Sequence, residues 1–507
     1  MYDKFNNLFI FEMANNHMGN LSHGVRIINE LKEIVKDFDF NFGIKLQYRN
    51  LDTFIHPDYQ DRVDIKYIDR FVNTRLMPSE FLTLRNEIVS CGFIPICTPF
   101  DEASVDLIES HGFDIIKIAS ASFTDWPLLE RIVLTDHPII ASTAGATLNE
   151  IDQVVSFLSH RKKDFCLMHC VGEYPTPGIH LELNQINFFK KRYPDISIGY
   201  STHEHPYDFD PIKIAIAKGA TVFERHVGIE TDKYPINEYS STPDHIEDWL
   251  MSAQYAFNTC GTSNKRRPIS EQELSDLNGL KRAVFAKTII PEGEAVTPSN
   301  TFYAIPTKPS QLLANDVSKY NSFIAKHSLQ ENDPVMFYDI KSTNSRDKVL
   351  SVIKQVKQML RDSKTPISDR MDFELSHHYG IEKIEKTGAI IINCINREYC
   401  KKLIVVLPGQ SHPIHYHKKK EETFHVLCGS LDLTIDTELS KGLPGDTFTV
   451  NRETPHSWSS TFGAIFEEIS TTHYKNDSYY EDESILKNKN RKTEMTFFSD
   501  WMNEDLK

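Results

Sequence analysis

The sequence has no CxxC pair. Its eight cysteines (Cys91, Cys97, Cys166, Cys170, Cys260, Cys394, Cys400 and Cys428) are scattered. Several sit inside apolar strand-like runs, the pattern of reduced core thiols rather than of a disulfide framework or a cysteine zinc site. A basic surplus is missing too: 56 Lys and Arg stand against 71 Asp and Glu, a net charge of −15. That excludes a general nucleic-acid or anionic-membrane binder, whose positive footprint would show. A local cluster of lysines and hydroxyls can still hold an anion inside an acidic chain. No apolar run is long enough to span a bilayer, and the N-terminus lacks a basic stretch followed by an apolar one. The chain therefore reads as cytoplasmic, with neither nucleic acid nor membrane as partner.

What remains is room for two to four domains in 507 residues. From Phe9 to Gly261 a strand-like run alternates eight times with a helix-like run. The strands read FIFEMA, FGIKLQY, FIPICTPF, IIKIAS, PIIAST, FCLMHCV, SIGYST and VFERHV, and VRIINELKEIV and EIDQVVSFL between them have helical apolar spacing. Eight such units over about 250 residues predict an α/β fold of the (β/α)8 TIM-barrel type across residues 1–265. An open doubly wound sheet is the rival, and functional residues at every strand end favour the barrel. Asp52 to Lys66 is too long and polar for a tight turn and is expected to cover the barrel mouth. A basic link (SNKRRP) leads to a small β-rich module over 278–341. Residues 342–368, with VLSVIKQVKQML, read as a linker helix. Short strands and turns over 369–485 predict a small β-barrel, and 486–507 a charged tail.

The predicted barrel strands end in Glu12, Lys45, Gln47, Thr98, Lys117, Ser120, Ser142, Thr143, Ser201, His203 and His226. In a TIM barrel these ends share one mouth. Two lysines and several hydroxyls there form a cradle for phosphate or carboxylate. Two imidazoles, His203 and His226, can share a divalent metal and leave positions open for small ligands. A strand lysine has a second use as a Schiff-base nucleophile, so an aldolase built on Lys45 or Lys117 is an alternative. Any one of these residues alone reads equally well as barrel-layer polarity. All of them at one end of eight strands do not.

FEMANNHMGN, IKLQ, CTPFDEASVDLI, KIAS, STAG, HC…YPTP, GYSTHE and FERHVG resemble, in order, the motifs of the sialic acid synthase (NeuB) family. The module after them resembles that family's antifreeze-like (SAF) domain. The resemblance implies a transferase that condenses phosphoenolpyruvate with an aldose, such as N-acetylmannosamine or a related deoxy sugar. The product is a 3-deoxy-2-keto sugar acid, with phosphate released by C–O cleavage. It further implies that Lys45, Thr98, Lys117, Ser120, Ser142 and Ser201 hold phosphoenolpyruvate, and that Glu12 and Gln47 face the sugar. His203 and His226 would bind Mn2+ or Mg2+, and a homodimer would place each SAF module over the partner's barrel. The sequence departs from the family at Ser122 (for Glu), Gly172 (for Asn), Asn237 (for Asp) and Lys308 (for the SAF Arg). These four lie on the sugar side, so the reaction type is expected and N-acetylmannosamine is not.

From Gly409 the chain reads GQSHPIHYHKKKEETFHVLCG, which resembles the cupin pattern G-x5-HxH-x4-E-x6-G, and GDTFTVNRETPH follows. His415, His417, Glu422 and His456 then make a three-His, one-carboxylate set suited to Zn2+, Mn2+, Fe2+ or Ni2+. IFEEISTTHYKNDSYYED is similar to sugar-isomerase cupins of the D-lyxose isomerase type. His377, His378 and Lys419 are further pocket candidates, while KNKNRK reads as a solvated face. Three functions follow: a synthase with an attached sugar-binding cupin, a bifunctional synthase and isomerase, or a scaffold on a degenerate barrel.

Overall fold

A computed structural model describes residues 4–498 apart from 263, 264, 319, 369 and 489. The chain forms two compact units, residues 1–267 and 268–507. In the first, eight parallel strands close into a barrel in sequence order: β1 (Leu8–Glu12), β2 (Asn41–Tyr48), β3 (Ile94–Pro99), β4 (Ile115–Ile118), β5 (Ile139–Ser142), β6 (Phe165–Cys170), β7 (Ser197–Thr202) and β8 (Val222–His226). The expected (β/α)8 architecture is the observed one.

Strand periodicity decides what faces the barrel axis, because alternate side chains point to opposite faces. Leu8 and Ile10 of β1 pack inside the barrel with Ile96, Ile115, Ile140, Cys166, Met168 and Val222. Phe9 and Phe11 pack outward in the larger core shared with the helices. Two residues on from the inner apolar positions, the same faces carry Glu12, Thr98, Lys117, Ser142 and Glu224, and Lys45 and Ser201 stand on the matching faces of β2 and β7. The apolar layer below thus sets the height of the polar layer above. Gly199 lets β7 approach β8, since a Cβ there would lie 2.7 Å from the Val222 carbonyl oxygen. The stretch expected over the mouth folds as a short helix Leu51–Phe54, a turn Pro57–Tyr59 and a helix Lys66–Asn73.

In the second unit, Ala295–Val296, Asn321–Ala325 and Ile340–Asn344 make a three-stranded sheet, and Ala283–Ala286 pairs with Thr301–Ala304. A small core of its own, including Val284, Leu312, Phe323 and Val335, holds this module together. A seven-stranded and a six-stranded antiparallel sheet follow.

Two expectations about the ends of this region are corrected. The helix Arg346–Asp362, read as a linker, buries Val349, Val352, Ile353, Val356 and Leu360 against Phe373, Leu375, Leu403 and Ile465 of the seven-stranded sheet. Its i, i+3, i+4, i+7 apolar stripe marks a face that needs a partner. The segment read as a tail contributes the strand Lys492–Phe498, paired antiparallel with Arg370–Ser376 and closing that sheet's edge. Residues 499–507 of the expected tail, and Ser263 and Asn264 of the expected link, lie outside the described residues.

Candidate active site and candidate metal centre

The polar layer of the barrel opens into a cavity of about 780 Å³. Glu224 is its hub. Lys45 Nζ lies 2.8 Å from Glu224 Oε1, and Lys117 Nζ lies 2.9 Å from both carboxylate oxygens. Ser201 Oγ donates to Oε1 at 3.2 Å. Lys45 also pairs with Glu12, whose other oxygen accepts from the Ala14 N–H at 2.6 Å. Burial alone would raise the Glu224 carboxyl, but the Lys117 and Lys45 ammoniums outweigh it and hold it well below the usual carboxylate range. Burial pulls Lys117 below its ordinary range. The floor therefore carries two cations and two anions in mutual contact.

Two hydroxyls on this floor, Thr98 Oγ1 and Ser142 Oγ, are buried without a hydrogen-bond partner. Buried polar atoms are normally paired, so these are positions for a ligand's oxygens. Ser120 Oγ accepts from the Ala144 N–H at 3.2 Å. His203 Nδ1–H donates to the Val171 carbonyl at 2.9 Å, which leaves Nε2 as the free nitrogen. Its ring centroid is 5.3 Å from that of His226. Burial, with His226 nearby, drops His203 to about 3. Burial, with Lys45 nearby, does the same to His226. Both imidazoles are thus neutral and able to ligate a cation at neutral pH.

Of the sugar-side positions, Asn237 lines the cavity and Ser122 does not. Ser122 is buried in the turn Ser120–Ser122. Lys308 is an exposed residue of the second unit, with its backbone N–H on Gln311 Oε1 at 2.9 Å. In the sequence Glu224 is legible as a polar strand-end residue, alternating with Val222 and His226, but its role as the partner of both lysines is not. Sequence reasoning missed Arg49, Lys66, Arg70, Tyr174 and Tyr239, which reach the cavity from loops and one helix. Tyr174 packs on His203 with centroids 4.2 Å apart, and Tyr239 meets His226 edge-on at 5.1 Å.

In the second unit His415, His417 and His456 converge, with one ring nitrogen from each within 4.8 Å of the others. Each Nδ1–H is committed to a backbone carbonyl: Pro413 at 3.2 Å, Asp477 at 2.5 Å and Thr454 at 3.0 Å. That fixes the tautomer and turns each Nε2 toward the common point. Glu422 completes the set, with Oε2 3.0 Å from His456 Nε2 and Oε1 3.5 Å from His417 Nε2. Glu422 Oε2 and His456 Nε2 are buried and make no hydrogen bond. Four donors of this kind, two of them orphaned, fit a divalent transition metal.

A chain of charges runs outward from this cluster. Lys420 pairs with Glu422 and, at 2.8 Å, with Glu468, which lies 3.1 Å from Lys402. Arg491 and Lys492, from the run read as a solvated face, line the same small cavity, and Lys492 pairs with Glu374 at 2.7 Å. Lys420, rather than the expected Lys419, lines it. His377 bonds to Thr493 and His378 to the Tyr480 hydroxyl, at 3.1 and 3.0 Å.

Residues 41–265 match the NeuB family, and residues 402–467 match the cupin domain. A crystal structure of a Chromobacterium violaceum protein, described as spore coat polysaccharide biosynthesis protein E, is 52% identical. It superposes with a TM-score of 0.65 over 66% of this chain and 99% of that one. The N,N'-diacetyllegionaminic acid synthase of Campylobacter jejuni is 28% identical over 46% of this chain and 69% of its own length. The human N-acetylneuraminate-9-phosphate synthase is 24% identical over 57% of this chain and 80% of its own length.

Proposed function

From the premise that this chain belongs to the NeuB family and carries a cupin domain C-terminal to its barrel in sequence, we propose that the barrel condenses phosphoenolpyruvate with an aldose. The product is a 3-deoxy-2-keto sugar acid. The observation that carries the reading is the floor itself, where two buried lysines and two orphaned hydroxyls, Thr98 and Ser142, surround one space. Phosphoenolpyruvate supplies the anionic oxygens that such a set binds. Lys45, Lys117, Thr98, Ser120, Ser142 and Ser201 hold it, and Gln47 faces the sugar. A divalent cation, Mn2+ or Mg2+, held by His203 and His226 would supply Lewis-acid polarisation of a carbonyl.

In this reaction C3 of the bound enolpyruvate forms a bond to the aldehyde carbon, whose oxygen takes up a proton. Water adds at C2, and the bond from C2 to the bridging oxygen then breaks, so that phosphate leaves with the proton of the C2 hydroxyl and the ketone remains. Glu224 is committed to both lysines and to Ser201. Glu12, whose oxygens meet Lys45 Nζ and the Ala14 N–H, is the second carboxylate of the floor, and to it falls the proton of the attacking water and its return to the nascent hydroxyl. The module over 278–341 is read as the family's SAF domain and the assembly as a homodimer. The cupin is read as a metal site for a sugar ligand.

The test is phosphate release by the purified full chain from phosphoenolpyruvate labelled with 18O at the bridging oxygen. It is run with Mn2+ and a panel of hexosamines, deoxy-diacetamido hexoses and plain aldoses. A product mass equal to sugar plus pyruvic acid, with the label in the phosphate, is expected. Label retained in the keto acid would contradict C–O cleavage, and no phosphate with any sugar would remove the synthase reading.

A further inference from the structure

The barrel floor is balanced by itself, with Lys45 and Lys117 facing Glu12 and Glu224. The rim is not. Lys66, Tyr67, Arg70 and Phe71 fall on one face of the helix Lys66–Asn73, and all four line the cavity. Arg49 lines it as well, its guanidinium held between the Phe71 and Phe100 rings, 4.1 and 3.6 Å from their centroids. Neighbouring acids are already engaged, Asp64 with Arg62 at 2.6 Å and Asp52 with Arg75 at 3.1 Å. Among the described residues Arg49, Lys66 and Arg70 pair with no carboxylate, and Arg49 Nε is buried without a hydrogen-bond partner. Against these three cations the described wall offers one acid outside the floor, Glu238.

We propose that Arg49, Lys66 and Arg70 form an anion subsite that receives a phosphate or carboxylate carried by the aldose, so that the substrate is an acidic sugar. The proposal rests on the reading of the floor as the phosphoenolpyruvate site. The aldehyde carbon has to meet C3 at the floor, so the far end of the sugar is what reaches the rim. A guanidinium already held between two rings loses little freedom on binding, and its planar fork matches the oxygens of phosphate or carboxylate. Tyr67 and Phe71 supply apolar surface beside the charges for the sugar's carbon face.

The Lys66→Ala/Arg70→Ala double variant tests this, since both side chains are exposed and surface substitutions of this kind are expected to leave stability nearly unchanged. Hexose 6-phosphates and hexosamine 6-phosphates, and the matching uronates, are compared with their neutral parents on the full chain with phosphoenolpyruvate and Mn2+. The wild type is expected to favour the acidic member of a pair by about tenfold or more in kcat/KM, the scale of hydrogen bonds to charged groups. The double variant is expected to lose that preference through KM, with the KM for phosphoenolpyruvate unchanged. A wild type without the preference overturns the proposal, as does a double variant that keeps it. So does a variant whose only change is a raised KM for phosphoenolpyruvate, which would assign these cations to that substrate.

A second arm needs no turnover. With phosphoenolpyruvate saturating, the same sugars are titrated while the melting temperature is followed. An acidic sugar is expected to raise it more in the wild type than in the double variant, and equal rises overturn the subsite. Binding without product counts against the condensation and leaves the subsite standing.

Discussion

At the scale of single residues, the barrel site is organised by a carboxylate that binds no substrate atom in the proposed reaction. Glu224 lies within hydrogen-bond distance of both floor lysines and Ser201. Removing one partner of a buried charge group leaves the others unpaired, at a cost of about 3–5 kcal/mol. Glu224→Gln keeps the shape and removes the charge. It is expected to lower the barrel's stability by that order and phosphate release by at least ~100-fold, the scale of losing one preorganised electrostatic group. Denaturant unfolding and a phosphate-release assay read the two effects. The pH dependence gives a sharper signature. The folded Glu224 carboxyl sits below its unfolded value, so the unfolded chain binds more protons and this stability is lost as pH falls below the ordinary carboxylate range. The variant should lack that part of the acid slope. An identical acid slope in both proteins would mean that Glu224 is not held ionised by the lysines.

At the scale of elements, the sequence made the eight barrel strands legible because each is an apolar run bounded by helix-length segments, and strand-end positions could be listed from period-2 alternation. Lys45, Lys117, His203 and His226 therefore meet in one cavity as expected. Arg49 and Tyr174 escaped because loop residues carry no period that says which way they point, and Lys66 and Arg70 because the short helix that bears them, Lys66–Asn73, was not read as one. The helix Arg346–Asp362 and the strand Lys492–Phe498 were misread for a related reason. A charged surface face and short length look alike in a tail, a linker and an edge element, and only the partner's surface decides. The apolar stripe of that helix was the available clue. Leu360 is 2% exposed within the core beneath the sheet. Leu360→Ala is expected to cost about 2–5 kcal/mol, whereas Lys354→Ala, on the exposed face, should stay within about 0.5 kcal/mol. Urea unfolding of the full chain checks both. A Leu360→Ala protein as stable as the wild type would return the helix to the status of a spacer.

At the scale of the whole molecule, the two units carry separate cores and separate clusters of imidazoles. In the barrel a pair, His203 and His226, faces the cavity. In the cupin, three histidines with their Nδ1–H groups anchored on backbone carbonyls converge beside Glu422. A site with two protein ligands depends on substrate and water to complete its shell, whereas four protein donors hold a transition metal in their own right. The two should therefore differ in how tightly they keep an ion through desalting. After loading with Mn2+ or Zn2+ and gel filtration, metal analysis of the wild type is expected to show about one retained equivalent, held by the cupin. His456→Ala should lose it and His203→Ala should keep it. Phosphate release should follow the opposite order: His203→Ala silent even with added Mn2+, His456→Ala active. Retention of metal by His456→Ala would remove the cupin assignment. Loss of phosphate release in that variant would mean that the barrel reaction depends on an intact cupin metal site.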